Sequence, residues 1–450
     1  MLKSTIALVI CTLIWRQVAP EGLRSKVIPW AFSLMILNVC CAAFFSPMVH
    51  ALLGVMNYGM YVVALDGFCF NLPNAHNRVW KATLFMFAYL ILSANFGCYA
   101  LDGMLAWLVI LINSFGSGYF VCRWACRTEG AMRKLNFALV VISVLVCYYF
   151  IRHGGLNALE AGREARGGFD LDTLDRDMKT NVNYTALTLC TIMPFLLVGF
   201  LSTARSGGSK LLKIINAGTL LMCGLFLIRT GARNGGLGLF PMLWYFLFST
   251  TNRMKRRKRI GLFVLVTLVF VIAVSFTMRG ATELRAFNFT GKGQEFYDTK
   301  GDAMSSGRIS MWTDQINQMN GVQKLLGRGL IKNDRTEQGR VKPGNAHSMY
   351  MAVFYNSGFV GAFLMLMMFC KFFSVAKRKA DRGRMAMMLF GCWALTGVGE
   401  AWGMIGGATA FLAGFAIGLC TDDPVMNTEL MSEEERYWFF ASQGYRREVW

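Results

Sequence analysis

Apolar runs long enough to cross a lipid bilayer recur along this chain from end to end, and no other feature limits its fold as much. A helix needs roughly 20 largely apolar residues to span the hydrocarbon core. The runs are continuous rather than alternating, which fits helices and argues against barrel strands. Spans are expected near 3–16, 28–46, 49–70, 81–98, 104–122, 134–151, 184–202, 211–229, 234–250, 260–278, 347–375, 384–400 and 403–420. The first is short, so the expectation is an all-α polytopic membrane protein with about 12–13 transmembrane helices. Its short apolar start lacks a small-residue cleavage pattern and reads as an uncleaved first segment.

The formal charge is +20, from 46 Lys and Arg against 26 Asp and Glu. In a soluble chain that excess would point to nucleic acid. Here the basic residues crowd into short turns between spans, at Arg253–Arg259, Lys377–Arg384, Arg123–Lys134 and Arg205–Lys213. The positive-inside bias accounts for them and puts all four turns in the cytoplasm. The lipid membrane is therefore the expected partner, and no nucleic acid is.

Alternating the spans from those turns leaves two long loops on the opposite face, Arg152–Asn183 and Arg279–Ala346, the second expected to carry short helices. The chain divides into an N-terminal bundle over 1–202 with its outer loop 152–183, and central helices over 203–278 with an arginine turn at 229–235. The large outer loop 279–346, C-terminal helices over 347–420 and a cytoplasmic tail over 421–450 follow.

On the outer face four separated features converge. Arg229 and Arg233 end one span four residues apart, a spacing that puts both on one helix face. Two outer arginines run against the charge bias, so they hold an anion or pair with an acid such as Glu400. Arg308 opens R-I-S-M-W, with Trp312 and Ile316 on one side of an amphipathic helix lying on the membrane, and L-L-G-R-G-L after it. Arg308 is either an anion ligand or a solvated loop charge. The same loop carries Arg328, Arg335, Arg340 and Lys342.

His347 sits at the mouth of an apolar helix, with Asn345 before it and Tyr350 one turn on. A lone histidine is usually structural. This one has a boundary position and cationic neighbours, and an imidazole titrating near neutrality serves as general base on a hydroxyl. Glu400 ends another apolar span. It either orients His347, binds a sugar hydroxyl beside a stacking Trp402, or bridges to Arg229 or Arg233. Asp170, Asp172, Asp175 and Asp177 read as a solvated acidic face. There is no P-loop and no dinucleotide fingerprint, and the thirteen cysteines lack metal-site spacing. No cofactor, metal or disulfide framework is expected.

R-T-G-A-R at Arg229–Arg233, R-x-x-x-W at Arg308–Trp312 with G-R-G-L after it, N-A-H-S-M-Y…N-S-G-F-V-G around His347 and G-E-A-W at Gly399–Trp402 occur in that order. Together they resemble the O-antigen ligase and O-antigen polymerase superfamily, integral-membrane glycosyltransferases of the GT-C type. The resemblance covers about Arg229 to Trp402. It implies a bacterial inner-membrane enzyme whose site faces the periplasm. The donor would be an undecaprenyl-diphosphate-linked oligosaccharide. Arg229, Arg233 and Arg308 would hold the diphosphate, and His347 would deprotonate the acceptor hydroxyl. Glu400, Trp402, Asn345 and Tyr350 would contact substrate, with inversion at the anomeric carbon and no metal. Ser348 follows the histidine where asparagine is common in the family, so that contact is shifted to Asn345 or lost. The G-E-A-W element looks more like polymerases of O-antigen or exopolysaccharide than like ligases acting on lipid A-core. A chain-length regulator and a flippase are the expected protein partners. A competing class is a lipid-linked oligosaccharide flippase, which would place charges along a central cavity rather than at one face.

Overall fold

The computed structural model describes residues 2–20, 22–23, 26–31, 59, 62–63, 77–98, 100–152, 182–205, 210–230, 233–250, 258, 261, 264, 308–329, 348–399 and 408–420. The predicted spans 28–46, 49–70 and 260–278, most of both outer loops and the tail 421–450 lie wholly or largely outside these residues. Among the described residues the fold is all-α, with no strand. The helices are α1 (Leu2–Val18), α2 (Arg78–Ser93, extended by a 3-10 turn Ala94–Phe96), α3 (Ala100–Ile110), α4 (Ser117–Arg127), α5 (Ala131–Arg152) and α6 (Val182–Arg205). They continue with α7 (Lys210–Thr230), α8 (Arg233–Thr250), α9 (Arg308–Asn317), α10 (Gly321–Leu326), α11 (Met349–Ala376), α12 (Ala380–Thr396) and α13 (Ala408–Leu419).

Three described helices are long and apolar enough to cross a membrane: Arg78–Phe96, Lys210–Leu227 and Met349–Ala376. Each shows large apolar side chains to its surroundings. Leu211, Ile214, Leu221 and Leu225 are exposed on α7, and Phe359, Phe363 and Leu366 on α11. Lipid is the solvent that accepts such faces, so this is a membrane protein.

Since lipid gives no hydrophobic drive between helices, close packing and interhelical hydrogen bonds must hold them together. α13 presents Ala410, Gly414 and Gly418 at four-residue spacing toward α4 and the segment before it. A Cβ at Gly414 would strike the backbone of Phe115, and one at Gly118 would strike the Phe411 carbonyl. The π-helical turn Leu111–Gly116, between α3 and α4, brings the Phe115 backbone into that contact. Asn136 on α5 donates to Asn216 on α7 at 2.9 Å, both buried, with Gly199 of α6 leaving room for the Asn136 amide. An aromatic ladder of Phe87, Phe115, Trp393, Phe390 and Phe372 runs through the core, its last pair stacked at 3.9 Å.

Candidate functional site at one end of the bundle

The end of the bundle that matters is built around the start of α11. Met349 N–H donates to Gly397 O at 2.8 Å, and Tyr350 Oη donates to Ala394 O at 2.7 Å. The start of α11 is thus hydrogen-bonded to the end of α12. α8 runs against α12, with Cys392 Sγ donating to Gly238 O at 3.3 Å and Thr396 Cγ2 within 3.2 Å of a Cβ built on Gly238. Leu227 of α7 packs over Gly235. The end of α7, the start of α8, the start of α11 and the end of α12 therefore share one end of the molecule.

α9 and α10 cap that end. Arg308, the first residue of α9, is half-buried and donates from Nη1 to Gly399 O at 2.6 Å. The expected surface helix after Arg308 is present over Arg308–Asn317. Its arginine is no freely solvated charge: it ties the loop to the residue just before Glu400. α10 begins at a capping box, where Asn320 Oδ1 accepts from Gln323 N–H at 2.8 Å and Gln323 Oε1 accepts from Asn320 N–H at 3.1 Å. It ends at Gly327, whose φ of 95° suits glycine alone.

The turn after α10 repairs a break in α11. Gly358 there has φ 63° and ψ −161°, so the helix is interrupted after Ser357. An unbroken helix would pair the carbonyls of Tyr355 and Asn356 with amides four residues on. At this break Tyr355 O instead accepts from Arg328 N–H at 3.0 Å, and Asn356 O from Gly329 N–H at 3.2 Å. Leu326 O accepts from Tyr89 Oη of α2 at 3.0 Å. The approach is so close that a Cβ at Gly327, Gly329 or Gly358 would collide with facing backbone. The sequence G-R-G is therefore a backbone plug wedged between α2 and α11.

The plug fixes Arg328. Its side chain is only 8% exposed, its Cζ lies 5.3 Å from the centroid of the Tyr355 ring, and its Nε is buried without a hydrogen-bond partner. Tyr355 is fully buried, and its hydroxyl donates to Trp312 O of α9 at 3.0 Å. One ring thus joins Arg328 to the helix that Arg308 begins. A desolvated cation–π contact stabilises by about 2 kcal/mol. Burying an unpaired ion costs several kcal/mol even after relaxation. Of the guanidinium nitrogens only Nε is buried without a partner, and the aromatic face gives it no hydrogen bond, which leaves a place for an anion.

Of the residues expected from sequence, Arg308 is brought against Gly399 at this end. Tyr350 is there too, but its hydroxyl donates to α12 and its ring packs against Phe369, so it braces the α11–α12 pair. Arg229 lies in the last turn of α7 and Arg233 opens α8. α7 and α8 are separate elements on either side of residues 231–232, and the shared face expected from four-residue spacing falls on side chains outside the described ones. What brings the two arginines' backbones to the same end is the packing of Gly235 against Leu227. His347, Asn345, Glu400 and Trp402 lie outside the described residues. His347 precedes the buried Ser348 that caps α11, and Glu400 follows Gly399. Arg328 was not singled out in sequence, where it was named beside Arg308, Arg335, Arg340 and Lys342 as one loop cation among others. Its flanking glycines were the available signal.

Residues 218–366 match the family model described as O-antigen ligase. That match makes this segment similar to the O-antigen ligase family, in line with the resemblance seen in the sequence. The O-antigen ligase segment takes in Arg229, Arg233, Arg308, Arg328 and His347, and stops short of Glu400 and Trp402. No curated protein matches the chain.

Proposed function

We propose that the chain is a membrane glycosyltransferase that polymerises a lipid-linked saccharide, moving an undecaprenyl-diphosphate-linked glycan onto a hydroxyl of another lipid-linked repeat unit. The observation that carries this reading is the junction of Arg308 with Gly399, inside and beside the O-antigen ligase segment, where the helix following His347 begins. In the proposed step His347 takes the proton of the acceptor hydroxyl. The alkoxide oxygen forms a bond to the anomeric carbon as the bond from that carbon to the diphosphate oxygen breaks. The configuration inverts, and undecaprenyl diphosphate leaves with the electron pair. Arg229, Arg233 and Arg308 neutralise the charge that grows on the diphosphate. Glu400 and Trp402 hold the sugar, with Asn345 and Tyr350 at the margin of the site. The site faces the periplasm of a bacterial inner membrane, served by a flippase and a chain-length regulator.

A ligase is the second reading, favoured by the description of the matching family itself. Purified chain in detergent with a chelator, given the lipid-linked repeat unit alone, should build a ladder on a gel. A product that appears only when lipid A-core is added would establish the ligase instead. Lipid-linked saccharide that crosses a liposome membrane without chemical change would point to a flippase and overturn both.

A further inference from the structure

We propose that Arg328 is a phosphate-binding residue, lying on the membrane side of the site, whose guanidinium takes an oxygen of the lipid-linked diphosphate. The oxyanion chemistry stands on the structure, and its assignment to the polyprenyl donor rests on the function proposed above.

Three observations point to an anion. The side chain is more than nine-tenths buried, its Nε has no hydrogen-bond partner, and among the described residues the guanidinium has a cation–π contact with Tyr355 and no ion pair. The backbone on either side is clamped by the α11 break through Arg328 N–H to Tyr355 O and Gly329 N–H to Asn356 O. The Arg328 backbone is thus held in advance, with its Cζ 5.3 Å from the ring centroid, and a guanidinium is suited to a planar, forked contact to phosphate oxygens. Such pre-positioning is a poor arrangement for a structural cation and a good one for a ligand contact.

Depth along α11 supports the same ligand. The part of α11 after the break at Gly358, 359–376, has about 27 Å of axis, close to a hydrocarbon core of about 30 Å, so the break lies near one interface. Tyr355 is about 9 Å of axis in from Met349. With the basic residues Lys377 and Arg378 at the opposite interface, the Tyr355 ring falls at headgroup depth. There a lipid anchored by its tail presents its phosphates. Arg308 bonds Gly399 beside the start of α11, and Arg328 lies at Tyr355 further along that helix.

The test uses the full chain in dodecyl maltoside at constant ionic strength. Wild type, Arg328→Gln and Arg328→Met are titrated with inorganic diphosphate, undecaprenyl diphosphate and phosphatidylglycerol, and the unfolding midpoint of each protein is recorded without ligand. The expected result is a loss of about tenfold or more in affinity for both diphosphate probes in each variant. Phosphatidylglycerol binding should be unchanged. Arg328→Met should unfold at or above the wild-type midpoint, because it removes an unpaired buried charge while keeping the apolar stem. A lower midpoint with unaltered diphosphate affinity would make Arg328 structural and overturn the proposal while leaving the donor reading intact. A loss confined to phosphatidylglycerol would assign the residue to bulk lipid and overturn the diphosphate contact. Failure of wild type to bind either diphosphate probe would overturn the donor reading and this contact together.

Discussion

Tyr355 does two jobs with one side chain, and they can be separated. Its ring faces Arg328 and its hydroxyl reaches Trp312 O. Tyr355→Phe keeps the ring and removes the tether to α9. The expected cost is about 1 kcal/mol of stability, typical of one hydrogen bond, read as a lower unfolding midpoint with diphosphate affinity kept. Tyr355→Leu should weaken that affinity as well, since the aromatic face is gone. Under the proposed mechanism, His347→Ala should abolish polymer while the protein still inserts in the membrane. That outcome is checked by quantifying membrane-extracted protein beside the product gel. Full activity in His347→Ala would sink the general-base role. Arg308→Lys should lose most of the turnover, because Arg308 also spans to Gly399 and an ammonium lacks the guanidinium fork.

The interruption of α11 is the element on which the site depends. Gly358 has a positive φ, and a Cβ there would collide with Leu325 O. A left-handed backbone costs an ordinary residue about 1–2 kcal/mol before any collision is counted. Gly358→Ala is expected to destabilise by more than that, measured as a fall in the midpoint of chemical unfolding in detergent. If α11 straightens instead, the carbonyls of Tyr355 and Asn356 recover helical partners and the plug at 327–329 is displaced. Loss of the Arg328-dependent binding with stability kept would report that outcome. The break itself was hard to foresee: N-S-G-F-V-G reads as helix by apolar content, and glycine in such a span is common.

At the scale of the molecule, the packing of α13 against α4 sets how the C-terminal helices sit on the N-terminal ones. Gly414→Val should push Phe115 away and lower the yield of folded, monodisperse protein on size exclusion more than a lipid-facing Phe363→Val does. The face of the membrane proposed for the site rests on the basic turns, and it can be mapped. A cysteine placed at Gln318, in a background without native cysteines, should react with an impermeant reagent added outside spheroplasts. One placed at Lys379 should react only after lysis. The reverse pattern would overturn the proposed orientation. The ion pair of Arg384 with Asp381 and the basic Lys377–Lys379 beside it mark the α11–α12 turn as a cytoplasmic one on this view.

Run length and charge, read from the chain alone, determine that it is a bundle of apolar helices, and near which residues the described ones begin and end. The agreement is close for α5, α6, α7, α8 and α12, because a helix in lipid must satisfy its own backbone and so its limits are local properties. The order of R-T-G-A-R, R-x-x-x-W and the histidine segment was legible too, and so was the similarity to the family that residues 218–366 match. Contacts between distant segments were not. That Arg308 reaches Gly399, that Tyr350 braces α12 and that Arg229 and Arg233 belong to two helices all depend on packing across more than 40 residues or on a helix break. Arg328 is the sharpest case. In sequence it is one cation in a polar loop, and only the fold buries it, takes away its partners and sets its guanidinium against Tyr355. A charge gains meaning from what surrounds it, and here those surroundings are assembled from α2, α9, α10 and α11 by tertiary structure alone.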